Sequence, residues 1–191
     1  MTHSNSKNIR NFIVEDYFNS RDQAILDITD YLDTATDTDK AHILFKNHQG
    51  GHVDAAELFI DAVEQSKVGR IEITFDRFAI SAAAFIYAYF VYYASSSRVV
   101  VKTDNPLCLV YHKPRMKKDG CILFDHHIID KKTTTPQIRY LLRVSKRFDD
   151  VFQSMWTAVQ KMIDIAPHMK DVYNSNGDVS IVFQKGIQSH V

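Results

Sequence analysis

Three features of the chain stand at nearly equal intervals: the Gly50-Gly51 pair, Ser81 and His112. Thirty residues separate Gly51 from Ser81, and thirty-one separate Ser81 from His112. That interval suits one strand, one helix and their connections, and successive units of this kind deliver their loops to one edge of a sheet. A hydroxyl, an imidazole and a glycine turn meeting at such an edge would make an acyl-transfer site. The imidazole takes the hydroxyl proton, the oxygen attacks a carbonyl, and main-chain amides hold the oxyanion that forms.

Taken singly, each residue has a plainer reading. Glycine is scarce, 6 residues where average usage of about 7% would give roughly 13. Two of the six are adjacent, between an apolar run and a helical pattern, where a positive φ and a missing side chain suit either amides aimed at an anion or a tight turn. A phosphate loop is disfavoured, because no Gly-Lys-Ser/Thr follows. Ser81 precedes Ala82-Ala83-Ala84, whose small side chains leave the hydroxyl uncrowded at a helix start that favours negative charge. An N-cap is the ordinary job for a serine in that place. His112 ends an apolar run before Lys113-Pro114, which puts the ring at a sheet edge, but it is one of nine histidines.

The elements that must position these residues alternate along the chain. Asn11 to Val14 reads as a first strand, and Arg21 to Leu32 as a helix with Ala24, Ile25, Ile28 and Leu32 on one face. His42 to Asn47 is a buried strand ending at the glycine pair, and Val53 to Val63 is the next helix. Arg70 to Phe75 alternates as a strand, Ser81 to Ala94 reads as a helix, and Arg98 to Lys102 and Leu107 to Tyr111 are two more strands about a turn at Asp104-Asn105-Pro106. This order predicts an α/β fold of repeated strand-helix units around a mainly parallel sheet. Pro136 opens a long helical region, about 136–166, whose apolar positions exceed one core face and predict contact with another subunit; Val179 to Phe183 is a final short strand.

Composition narrows the class. One domain over 1–191 is expected, with residues 1–9 a flexible start. Lys+Arg and Asp+Glu both number 23, so nothing advertises nucleic acid. The N-terminus carries no apolar run of a secretory signal, and Cys108 and Cys121 form no metal spacing or disulfide framework. A cytoplasmic protein with no cofactor, no metal and no membrane span is the expectation. Asp125-His126-His127 resembles a short metallophosphoesterase signature, but its carboxylate-rich companions are missing. His48 and His52 read as solvated loop histidines, and Lys113, Arg115, Lys117 and Lys118 as a solvated loop.

The segments Lys46-Asn-His-Gln-Gly-Gly51, Phe78-Ala-Ile-Ser-Ala-Ala-Ala84 and Val110-Tyr-His-Lys-Pro114 together resemble the Clp protease proteolytic subunit. That family carries an Asn-x-x-Gly-Gly turn, a serine among small residues and a His-x-Pro in the same order. The resemblance spans roughly residues 11–114 and implies a crotonase-like fold of repeated β-β-α units. It makes Ser81 the nucleophile, His112 the general base, and Gly51 and Ala82 the oxyanion amides, with Gly50 at the substrate. The aspartate behind the histidine would be Asp171, in Asp171-Val-Tyr-Asn-Ser175, with Asp164 and Asp178 as competitors.

The implied function is hydrolysis of unfolded polypeptide by a serine endopeptidase, inside a chamber of stacked, heptameric rings served by an AAA+ unfoldase. Three departures temper it. Ala83 stands where the family has glycine, the Ser81–His112 interval is longer than usual, and the segment before the first strand is shorter than the family's ATPase-contacting one. The alternative expectation is a catalytically inactive ring-forming scaffold or regulatory subunit; a crotonase-like enzyme acting on an acyl thioester is a third.

Overall fold

A computed structural model describes residues 9–128 and 135–184; of the flexible start expected over 1–9, residues 1–8 lie outside them and Ile9 opens the first strand. The elements follow the order of the sequence. Strand β1 (Ile9–Glu15) leads to helix α1 (Gln23–Thr34), β2 (Lys40–His48) to α2 (Val53–Gln65), and β3 (Arg70–Ile80) to α3 (Ala82–Ala88), which continues as a π-turn over Tyr89–Tyr93. Then come β4 (Val99–Thr103), β5 (Leu107–Tyr111), a hairpin of β6 (Met116–Lys118) and β7 (Cys121–Leu123), the long α4 (Pro136–Met162), α5 (Met169–Asn174) and β8 (Val179–Phe183).

Burial follows the expected periods. Ala41, Ile43 and Phe45 alternate inward along β2, as do Ile71, Ile73 and Phe75 along β3, while α1 buries Ile25, Ile28 and Leu32. The Asp22 carboxylate caps α1 by accepting the Ile25 N–H at 3.3 Å. Phe45 and Phe75 stack at 4.9 Å, and Phe59 and Tyr87 meet them edge-on. In the run from Ala82 to Val91 every residue is buried, so this helix is the centre of the core. The π-turn ends it with the Ala94 N–H on the Tyr89 carbonyl.

Sheet order is β1-β2-β3-β5-β8, with β4 also on β3; every pairing is parallel except β5 with antiparallel β8. The parting of β4 and β5 is what builds the site. Ile71–Phe75 of β3 pairs with β4, whereas Phe78–Ile80 pairs with β5. Between the halves Arg77 is left-handed (φ 65°), and opposite it Asn47 is too (φ 50°), where the β2–β3 register slips. The expected strand ended at Phe75; the Asp76-Arg77 kink breaks the alternation, but pairing resumes beyond it.

Helix α4 lies on this core. Its apolar positions Val144, Phe148, Val151, Phe152, Met155 and Val159 are buried within the chain itself, and Met162 is exposed at its end. Glu57 of α2, almost fully buried, accepts both guanidinium nitrogens of Arg143 at 3.0 Å and one of Arg147 at 3.4 Å. No helix among the described residues is long and apolar enough to cross a membrane. Because Phe45 fills the space between Phe18, Phe59, Phe75 and His48, Phe45→Ala should lower the unfolding free energy by about 3–5 kcal/mol. Urea denaturation followed by tryptophan fluorescence, through buried Trp156, measures it.

Candidate active site

The glycine turn, Ser81 and His112 come to one edge of the sheet because the second half of β3 runs beside β5. Ile80 pairs with Val110, and one step further the Ser81 N–H donates to the Val110 carbonyl at 2.8 Å. His112 is the first residue past the end of β5. On the other side of β3, β2 ends in the glycine turn.

Ser81 itself is strained. Its φ of 58° and ψ of −120° fall outside the regions open to side-chain-bearing residues, and such strain persists only where surrounding structure enforces it. Its carbonyl opens the helix by accepting the Phe85 N–H, but its hydroxyl caps nothing and has no hydrogen bond among the described residues. The N-cap reading therefore leaves the side chain unexplained. A sharp strand-to-helix turn with a partly exposed, unbonded hydroxyl at a sheet edge is a geometry that a nucleophilic serine can use.

Gly50 and Gly51 both hold positive φ, 87° and 124°. A Cβ on Gly50 would lie 2.6 Å from Ser81 Cβ and 2.9 Å from Ala82 N, with the Ile80 oxygen closer still. Only glycine lets the turn and the serine meet. Four main-chain groups of the turn are committed. Gln49 N–H donates to the Asp16 carbonyl at 2.7 Å, the Gly50 carbonyl accepts Phe18 N–H at 2.6 Å, and His52 N–H donates to the Phe18 carbonyl at 3.0 Å. Gly50 N–H donates to Nδ1 of His48 at 3.1 Å. Among the described residues, the Gly51 N–H is left without an acceptor, and so is the N–H of Ala82, the first residue of α3. One of these free amides follows the serine directly, and the other belongs to the turn that Gly50 sets against it.

His48 was expected in solvent, and it is fully buried. Its ring lies 4.0 Å from that of Phe18 and edge-on to Phe45 at 5.7 Å, and its Nε2 has no partner among the described residues. The slip at Asn47 is the reason: alternation through 41, 43 and 45 points to 47, and the irregularity hands the inward position to 48 instead. His52 stays exposed, near Asp54.

His112 is buried, and its Nδ1 lies 2.8 Å from the Lys113 carbonyl. A carbonyl can only accept, so Nδ1 carries the proton and Nε2 of the neutral ring is the free base. The flanking residues are anchored to the C-terminal helices. Tyr111 OH donates to the Phe148 carbonyl at 2.9 Å. Lys113, far from solvated, sets its ammonium 3.6 Å from Asp149 and over the Tyr173 ring at 5.4 Å, and Tyr173 OH donates to the same carboxylate. Asp171, on α5, is exposed, as are Asp164 and Asp178. No carboxylate among the described residues hydrogen-bonds His112, and Ser81 and His112 share no direct bond.

Elsewhere, the rings of His126 and His127 lie 4.1 Å apart and tilted by 59° in a 3₁₀ turn, and no third metal-ligating group converges on any pair among the described residues.

No protein-family model matches the sequence, and no curated protein does. Among solved structures, a point mutant of ClpP1 from Listeria monocytogenes matches with a TM-score of 0.52 over 90% of this chain and 82% of that one, at 14% identity. The fold is ClpP-like. At that identity the likeness shows a mixed α/β architecture with a mainly parallel sheet and a long C-terminal helix, shared between ClpP and this chain.

Burial pushes His48 down from its ordinary 6.5 to about 4, against the opposing pull of Asp22 and Asp16. Between those values the unfolded chain binds a proton that the folded chain refuses. The contribution to stability is therefore complete above pH 6.5 and falls as pH drops toward 4, with a slope approaching about 1.4 kcal/mol per pH unit. His48→Asn should flatten that part of the profile in urea titrations; an unchanged slope would locate the proton uptake elsewhere.

Proposed function

We propose that this chain is a serine endopeptidase of the Clp type, with Ser81 as nucleophile, His112 as general base, the amides of Gly51 and Ala82 as oxyanion donors, and Gly50 at the substrate. The observation that carries the reading is the backbone of Ser81, strained on a strand-to-helix turn while its hydroxyl caps nothing. In the reaction, Nε2 of His112 takes the Ser81 proton as Oγ attacks the scissile carbonyl. The oxyanion draws on the two amides, the imidazolium returns its proton to the leaving amine, and water releases the acyl group by the reverse path.

The carbonyl of Lys113 supports the orienting role that a triad gives to aspartate, since it fixes the tautomer in the same way. The triad form of the proposal gives that role to Asp171. Assembly into stacked, heptameric rings, a cytoplasmic setting, unfolded polypeptide as substrate and delivery by an AAA+ unfoldase belong to the same proposal; the ClpP-like fold supports them. A second reading, a ring-forming scaffold without activity, draws on the missing Ser81–His112 bond, although active-site bonds of this type often close only around substrate.

Hydrolysis of a fluorogenic peptide by the full chain separates these readings. Ser81→Ala should reduce turnover by about 10³-fold or more with unfolding unchanged. Asp171→Asn should change it less than about tenfold if the Lys113 carbonyl orients the ring; a loss approaching that of Ser81→Ala would install Asp171 in a triad. Equal rates for wild type and Ser81→Ala would leave the scaffold reading standing.

A further inference from the structure

We propose that His48 is a positioning residue for the oxyanion donor, holding the Gly50–Gly51 turn through its Nδ1 so that the Gly51 N–H stays aimed at the position of the reacting oxygen. This rests on the reading of Ser81 as nucleophile.

The argument begins from a polar side chain with no other evident reason to be inside. His48 is fully buried against Phe18 and Phe45, at a place where an apolar residue of similar volume would pack without leaving Nε2 unpartnered. Its one hydrogen bond among the described residues joins it to the Gly50 N–H two residues onward. That bond settles which way the turn faces. With Gly50 N–H on the imidazole and Gly50 C=O on Phe18 N–H, the peptide plane entering Gly50 and the plane joining Gly50 to Gly51 are both pinned. The N–H on the second plane is that of Gly51, the free one. Both glycines occupy backbone regions open to wide excursions, so without the His48 bond the plane entering Gly50 is released and the second plane is held from one side only, by Phe18 N–H. A donor displaced by about 1 Å forfeits much of its effect on a developing charge. His48 touches no substrate in this account and acts only through the turn.

Two variants separate positioning from mere packing. Asparagine at this place keeps an acceptor for the N–H two residues on, in the manner of an Asx-turn, whereas leucine keeps volume and removes the acceptor. Active sites in each preparation are titrated with a fluorophosphonate, so that any loss of folded protein is divided out. Per titrated site, His48→Leu should lower kcat for a fluorogenic peptide by about 10- to 100-fold with KM within about twofold, and His48→Asn should recover to within about fivefold of wild type. A His48→Leu enzyme within twofold of wild type, or a His48→Asn enzyme as slow as His48→Leu, overturns the proposal.

A readout independent of catalysis keeps it distinct from the peptidase reading. In ¹⁵N-histidine NMR of the full chain, His48 should be the Nε2–H tautomer, with Nδ1 shifted as a hydrogen-bond acceptor. If wild type neither hydrolyses peptide nor takes the probe, the peptidase reading fails while this tautomer still reports the pinned turn. An Nδ1–H tautomer overturns the pin whatever the activity.

Discussion

Space at Gly50 is the constraint on which the rest of the site depends. The turn after β2 and the turn after β3 approach so closely that one methyl group on Gly50 would collide with the Ser81 side chain and the main chain on either side of it. Contact this tight holds Ser81 in a conformation it would otherwise leave. It also sets the Gly50 turn directly beside Ser81 and the Ala82 amide nitrogen. The strained serine and the two glycines are one structural solution rather than three separate peculiarities.

Holding those turns in place falls to the kinked sheet. The left-handed residues Asn47 and Arg77 face each other across β2 and β3 where β4 gives way to β5. Had β3 continued straight, its end would have followed β4, and Ser81 would have had no route to the end of β5. The buried Tyr111, bonded to α4, and Lys113, bonded to Asp149 and covering Tyr173, then fix the histidine segment from the opposite side. Core packing thus reaches the imidazole from two elements far along the chain.

Much of this was legible in the residues. Strand and helix periods located all but the short β6 and β7 and α5, and the interval between the glycine pair, Ser81 and His112 pointed to one sheet edge. The ClpP-like architecture agrees with the fold that the three motifs implied. What stayed hidden depended on single backbone angles and on main-chain atoms. A slip at Asn47 reverses the inward parity of β2, and no alternation pattern warns that His48, not its neighbour, enters the core. The partner of His112 is a carbonyl, which every residue possesses, so no residue type at Lys113 could signal it. The basic stretch around Lys113 looked like a solvated loop because its anchors, Asp149 and Tyr173, lie on α4 and α5.

The most direct test of the account is a crystal structure of the protein after reaction with a peptidyl fluorophosphonate. The account predicts a covalent bond from Ser81 Oγ to phosphorus and a phosphoryl oxygen within hydrogen-bond reach of both the Gly51 and the Ala82 amides. An unmodified Ser81, or an adduct whose oxygen points away from those two amides, would contradict it.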